Sequence, residues 1–322
     1  AMEGRFEEAR TIWEAVGDGP ALRNIGGMYF TGVFGSQDPE TASGYFEQAA
    51  AQNDSEAMLS LGHMYADGIG VTVDANRAED WFWQAADLGL PAGQFMVART
   101  ILERGGLDTD IQIALDHLNL SAQALEPRAL MLIGDLLRSG TFVDQDIEKA
   151  VAFYASSAEN GLAEAQRVLG DIYLFAELGP PDIDQAIQHY LSAAENGSSQ
   201  AMYALAYLFY SDPGADDVLL QTAFRQAQTA SYAWDEKAQL LLGRMYLDGR
   251  ATPKDDAQAY FWLDLATSAG VVEAHHLRAL AHAGIGDEKA ADMHASARQW
   301  FAENHTNSHM HRLIGHGQHD FR

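Results

Sequence analysis

The stretch LGHMYADGIGV, from Leu61 to Val71, holds the residue types from which a phosphate cradle can be built, because Gly68 and Gly70 bracket a single residue after a helical pattern. Such a cradle also needs a preceding strand, or a Lys-Ser/Thr pair after the glycines, to supply oriented backbone N–H groups and a cation. Neither is present, so the two glycines read as a tight turn between helices. Histidine offers a second chemistry. Nine of the twelve histidines lie at or after His275, and His305 and His309 are four residues apart. On a helix that spacing would share one face and could hold Zn or Ni. No Asp/Glu-His-x-x-His frame accompanies the pair, and residues 305–322 read as a solvated His-rich tail. A hydrolase or metal-binding role for this end is carried only as an alternative. The chain has no cysteine, which excludes disulfides, thiolate metal sites and a Cys nucleophile. It also lacks a Gly-x-Ser-x-Gly elbow. We therefore expect no catalytic residue, no cofactor and no enzymatic activity.

Composition narrows the field further. Of 322 residues, 47% are apolar and 20% charged, a balance that folds. Prolines number 8, which favours helix. No run reaches the roughly 18 apolar residues of a membrane span. The formal net charge of −26 repels nucleic acid and anionic lipid, both of which bind through Lys and Arg. The expected partner is a neutral or basic protein or peptide. No export signal precedes Gly4, and a signal already removed would leave no trace.

The elements that must carry any site emerge from self-similarity. Ala57, Leu61, Gly62, Tyr65 and Gly68 reappear at the same offsets as Ala21, Ile25, Gly26, Tyr29 and Gly32. They return from Ala129, Ala165 and Ala238, and more weakly from Ala92, Ala201 and Ala274. Successive starts are 36, 35, 37, 36, 36, 37 and 36 residues apart. Each first half is followed by a second, such as Ala78, Trp81, Phe82, Ala85, Ala86 and Gly89. Spacings of three and four mark a helix face, so each unit reads as helix A, a turn, helix B and a short turn. A mid-helix glycine costs about 1 kcal/mol relative to Ala, so its recurrence points to close approach of helix B. Gly89, Gly161, Gly197 and Gly270 suit the left-handed position after helix B, and Asp74, Asp144 and Asp182 suit its N-cap. Residues 1–20 read as a lone capping helix B, 21–273 as seven repeats, and 274–304 as a degenerate repeat ending in a polar helix.

This pattern resembles the Sel-one-like repeat family, a relative of the tetratricopeptide repeat. The resemblance rests on Ala57 to Val71 and Ala78 to Gly89 and covers roughly residues 5–300. It implies an all-α, right-handed superhelical solenoid of about seven helix pairs with capping helices at both ends. It also implies a scaffold for multi-protein complexes. Bacterial members are often exported, so an extracytoplasmic location is favoured, with an accessory role in polysaccharide secretion or envelope assembly as the alternative. The third unit lacks the Gly-x-Gly turn and the sixth carries SDPGADD instead, so these two should be the least regular.

Positions six and ten after each leading Ala vary while the packing positions repeat, and they are expected to line a concave groove. Two groups stand out there. One is acidic, Asp67, Asp135 and Asp171. The other is aromatic, Phe175, Tyr203, Tyr207 and Tyr210, with His63 and Arg244 as further groove residues. Acid beside exposed rings could hold a basic, apolar peptide.

Overall fold

The carboxylates that open the helices show why the chain breaks where it does. A computed structural model describes the backbone of residues 2–33 and 36–317, and the side chains of 7–33 and 36–304. Among these residues there are sixteen helices and no strand. The A helices are α2 (Gly19–Thr31), α4 (Ser55–Asp67), α6 (Pro91–Arg104), α8 (Pro127–Ser139), α10 (Ala163–Leu174), α12 (Ser199–Ser211) and α14 (Glu236–Asp248). The B helices are α3 (Pro39–Ala50), α5 (Ala75–Asp87), α7 (Asp108–Gln123), α9 (Ile147–Glu159), α11 (Ile183–Glu195), α13 (Asp217–Tyr232) and α15 (Asp256–Ser268). Helix α1 (Met2–Val16) precedes the array and α16 (Val272–Gly317) follows it. Asp74 and Asp182 accept backbone N–H bonds from the first turns of α5 and α11, as expected of N-caps. Asp144 does not. The cap of α9 is Asp146, which accepts the Lys149 N–H at 3.0 Å, because the helix starts two residues later than the sequence pattern indicated.

Two compact units are present, one running to Asn160 and the other from Gly161 to Gly315. In the first, α2 packs on α3, α4 on α5, α6 on α7 and α8 on α9, and neighbouring pairs stack. The second repeats the scheme from α10 to α15. The recurring glycine is where five of the seven pairs close, α6 and α12 carrying Val97 and Ala206 at that position. A Cβ on Gly62 would lie 2.3 Å from the Phe82 ring, and one on Gly170 would lie 2.6 Å from Tyr190. Gly26, Gly134 and Gly243 face Phe46, Tyr154 and Leu263 in the same manner. Burying one such large side chain contributes roughly 1.5–3 kcal/mol, which outweighs the glycine's cost of about 1 kcal/mol.

The turn glycines do two different things. Gly68 ends α4 in the left-handed region at φ 70. Gly70, at φ 72, lies against the preceding turn, since its Cβ would fall 2.3 Å from the Pro39 carbonyl oxygen. The α4–α5 turn therefore abuts the start of α3. The position after helix B is left-handed at Gly89, Gly161, Gly197 and Gly270, and also at Asn53, Leu125 and Trp234. The irregular units show themselves in length, α7 and α13 each running to 16 residues against 12 or 13 in the other B helices.

The end of the second unit is closed differently. Helix α16 contains a kink at Gly286, whose φ of 76 and ψ of 170 are not helical. Asp264, 2% exposed, joins both sides of that kink. Its carboxylate accepts from Arg278 Nη1 and meets His294 Nδ1, each at 2.7 Å. His282 Nε2 and Asp287 pair across the same bend at 3.0 Å.

Candidate functional site

The expected groove residues divide into those that packing has claimed and those it has left in solvent. Asp135 accepts a hydrogen bond from the Tyr154 hydroxyl at 2.8 Å. Asp171 accepts one from Tyr190 at 2.6 Å and pairs with Arg167, which also grips Glu164. Both tyrosine rings are buried, and each hydroxyl lacks water as an alternative partner, so an acceptor is required at that point. These two positions are not free of the helix packing: Asp135, though exposed, and half-buried Asp171 each accept the hydroxyl that completes their own helix pair. Burial, followed by the bond to the carboxylate, holds both phenols above their ordinary value of 10.0. The sixth place answers the facing side chain where that is a tyrosine. It is Asp where helix B brings Tyr, His63 where it brings Phe82, and Arg244 where it brings Leu263. His63 is half-buried and meets the edge of Phe82 with ring centres 5.3 Å apart.

Tyr210 also departs from expectation. It is 6% exposed, its hydroxyl donates to Asp248 Oδ2 at 2.6 Å, and Arg250 lies over its ring. Arg250 further donates to the carbonyls of Tyr210 and Asp212 at 2.7 and 2.6 Å. A ring held in this way fixes α12 on α14 and presents no surface. Tyr207, by contrast, is 51% exposed, and its ring lies 6.1 Å from that of half-buried Tyr203. Arg244 is exposed one pair further on and within 3.5 Å of Asp248. Phe175 is 67% exposed, but it sits beyond the last residue of α10, as its cap, rather than on the helix face. Asp67 is exposed at the end of α4 in the first unit.

One cluster was not anticipated. Trp300 from α16 meets Trp234 at 4.7 Å, Trp262 at 5.8 Å, Tyr232 at 6.1 Å and Phe261 at 6.3 Å. Trp234 holds a left-handed backbone at φ 68, a costly conformation for so large a residue. The density of rings in SYAW, YFW and WF was the available signal. The side chains of His305 and His309 lie outside the described residues. Among the described residues, no group of three or more His, Cys, Asp or Glu could hold a metal ion, and no helix is long and apolar enough to cross a membrane.

Comparison with known proteins agrees with this architecture. The chain is similar to c5321, a protective antigen present in uropathogenic Escherichia coli strains that displays an SLR fold. Identity is 23%, the TM-score is 0.73, and the match covers 95% of this chain but 66% of c5321, so this chain spans about two thirds of that protein. A Sel1 repeat protein from Oxalobacter formigenes is 27% identical, with a TM-score of 0.64, over 80% of this chain and 75% of that one. No curated protein sequence matches. The family model described as Sel1 repeat matches residues 19–54, 55–90, 91–124, 127–162, 163–198, 199–215 and 236–271. The sixth match stops within the SDPGADD turn, where the sequence had already lost its pattern. Proteins of this kind generally mediate protein–protein interaction and are typically non-enzymatic. With five of its seven helix pairs closed by the same glycine notch and seven matched repeats, the chain belongs to the Sel1 repeat family.

Proposed function

We propose that this chain is a non-enzymatic scaffold or adaptor that binds a partner protein or peptide on the A-helix face of its second unit. The observation that carries the reading is Tyr207, half in solvent beside Tyr203, on a helix whose packing positions are already filled. Rigid rings in contact with water are the anchors on which protein interfaces are built. The acidity of the chain favours a neutral or basic partner and speeds encounter with it. His63 and Asp67 belong to the corresponding face of the first unit. An extracytoplasmic location, periplasmic or secreted, completes the reading.

The test is photo-crosslinking in the cell of origin. A benzophenone residue at position 207 should yield an adduct with one discrete polypeptide. The same residue at Gln188, exposed on α11, is the control. Equal adducts from both positions, or none from 207, would defeat the assignment.

A further inference from the structure

Resting on the reading that the chain binds polypeptide, we infer that residues 175–183, the turn between α10 and α11 with the first residue of α11, are the docking site for a basic, apolar segment of the partner. Three side chains in these nine residues stand in solvent: Phe175 at 67%, Leu178 at 41% and Ile183 at 53% exposure. Among the described residues, the other A–B turns expose no more than one large apolar residue each, Val33, Val73, Leu107 or Phe142, and isolated residues of that kind are ordinary on a protein surface. Three within nine residues are a concentration that the other described turns lack.

The turn is also built to hold its shape before anything binds. The Glu177 N–H donates to the Ile172 carbonyl at 3.2 Å and the Asp182 N–H to the Tyr173 carbonyl at 2.9 Å. Pro180 and Pro181 fix two φ angles between those ties, while Ala176 and Gly179 take positive φ. A surface ordered in advance loses little freedom on binding.

Charge selects the occupant. All 20 Lys and Arg residues lie outside residues 168–224, and those 57 positions hold eight carboxylates. Three of the eight, Glu177, Asp182 and Asp184, fall in or directly beside the exposed turn. Nucleic acid and anionic lipid are repelled there. A polypeptide segment alternating Lys or Arg with large apolar side chains meets both features, its cations on the carboxylates and its apolar residues on Phe175, Leu178 and Ile183.

Short labelled peptides of alternating Lys-Leu, Lys-Ser and Glu-Leu, titrated into the full chain by fluorescence anisotropy, test this. Lys-Leu should bind most tightly, and about 0.5 M NaCl should weaken it. The double variant Phe175→Ser/Ile183→Ser should lose about tenfold or more in affinity. Leu178→Glu is the second variant, should the double change disturb folding as judged by circular dichroism. Tyr207→Ala separates the turn from the A-helix face. Loss in the turn variants, with or without loss in Tyr207→Ala, supports the turn. Undiminished binding by folded turn variants overturns it, and if Tyr207→Ala alone then fails, the A-helix reading stands without it. Equal affinity for Glu-Leu and Lys-Leu, or no binding of Lys-Leu to the unmodified chain, also overturns it.

Discussion

Helix pairs α4–α5 and α10–α11 are closed by the same notch but finished differently. In the first, Phe82 fills the space above Gly62 and the next residue is His63. In the second, Tyr190 fills the space above Gly170 and the next residue is Asp171, which takes the ring's hydroxyl. Changing one atom of the ring changes what the chain must place nineteen residues earlier. A variable position in a repeat is therefore not automatically a surface position; it can be answering a variable partner.

The comparison can be broken at the notch itself. Gly170→Leu should cost about 3 kcal/mol, the upper end of overpacking, because no rotamer clears the Tyr190 ring. Denaturant unfolding of the full chain measures it, and a neutral result would dismiss close approach as the reason for the glycine. Asp171→Ala is the next largest effect. It strands the Tyr190 hydroxyl in a buried site, for a loss of roughly 1–3 kcal/mol. Adding Tyr190→Phe should restore most of that loss, and Asp171→Ala should have far less effect in a chain that already carries the Phe.

Alkali sharpens the contrast further. Burial, reinforced by Asp171, raises the Tyr190 phenol above 10.0, so the folded chain keeps a proton that the unfolded chain releases. Stability present below pH 10 should fall as pH rises beyond it. The decline should be shallower in Tyr190→Phe and unchanged by Phe82→Leu. The smallest effect is expected in mild acid. His189 is half-buried, with Nδ1 2.9 Å from Gln166 Oε1 and its ring stacked on Tyr173. Burial lowers its value below 6.5, so the unfolded chain takes up the proton more readily. Stability should therefore decrease as pH falls below 6.5, and His189→Gln should flatten that slope. A thermal-melt series across pH 5 to 8 would read both arms, and a slope untouched by the substitution would remove His189 as its source.

Much of this fold was legible in sequence because its determinants are local and repeated. Three- and four-residue spacings gave the helices, and the glycine gave the contact between them. The pairing of Asp135 with Tyr154 and of Asp171 with Tyr190 was also within reach, since both are nineteen residues apart. The helix wheel of A alone does not show where the hydroxyl of B lands. The clasp of Trp234 on Trp300 left only the density of rings in SYAW, YFW and WF, as 66 residues and no period connect the two. Tyr210 looked like Tyr207 because they lie three apart on one helix. Only the arrival of Asp248 and Arg250 from the next pair distinguishes a pinned ring from an available one.

The contact between Gly70 and Pro39 bears on how such arrays can be rearranged. A turn that rests on the start of the preceding helix B adds, at this junction, a backbone contact to the side-chain packing between neighbouring pairs. The segment that travels intact is then not a helix pair such as residues 55–90. It runs from Pro39 to Gly70, one helix B with the helix A and turn that follow. Transplanting repeats between arrays, or duplicating one within this chain, should keep both halves of that junction from the same parent. Seams cut inside it would join two turns that were never shaped for each other.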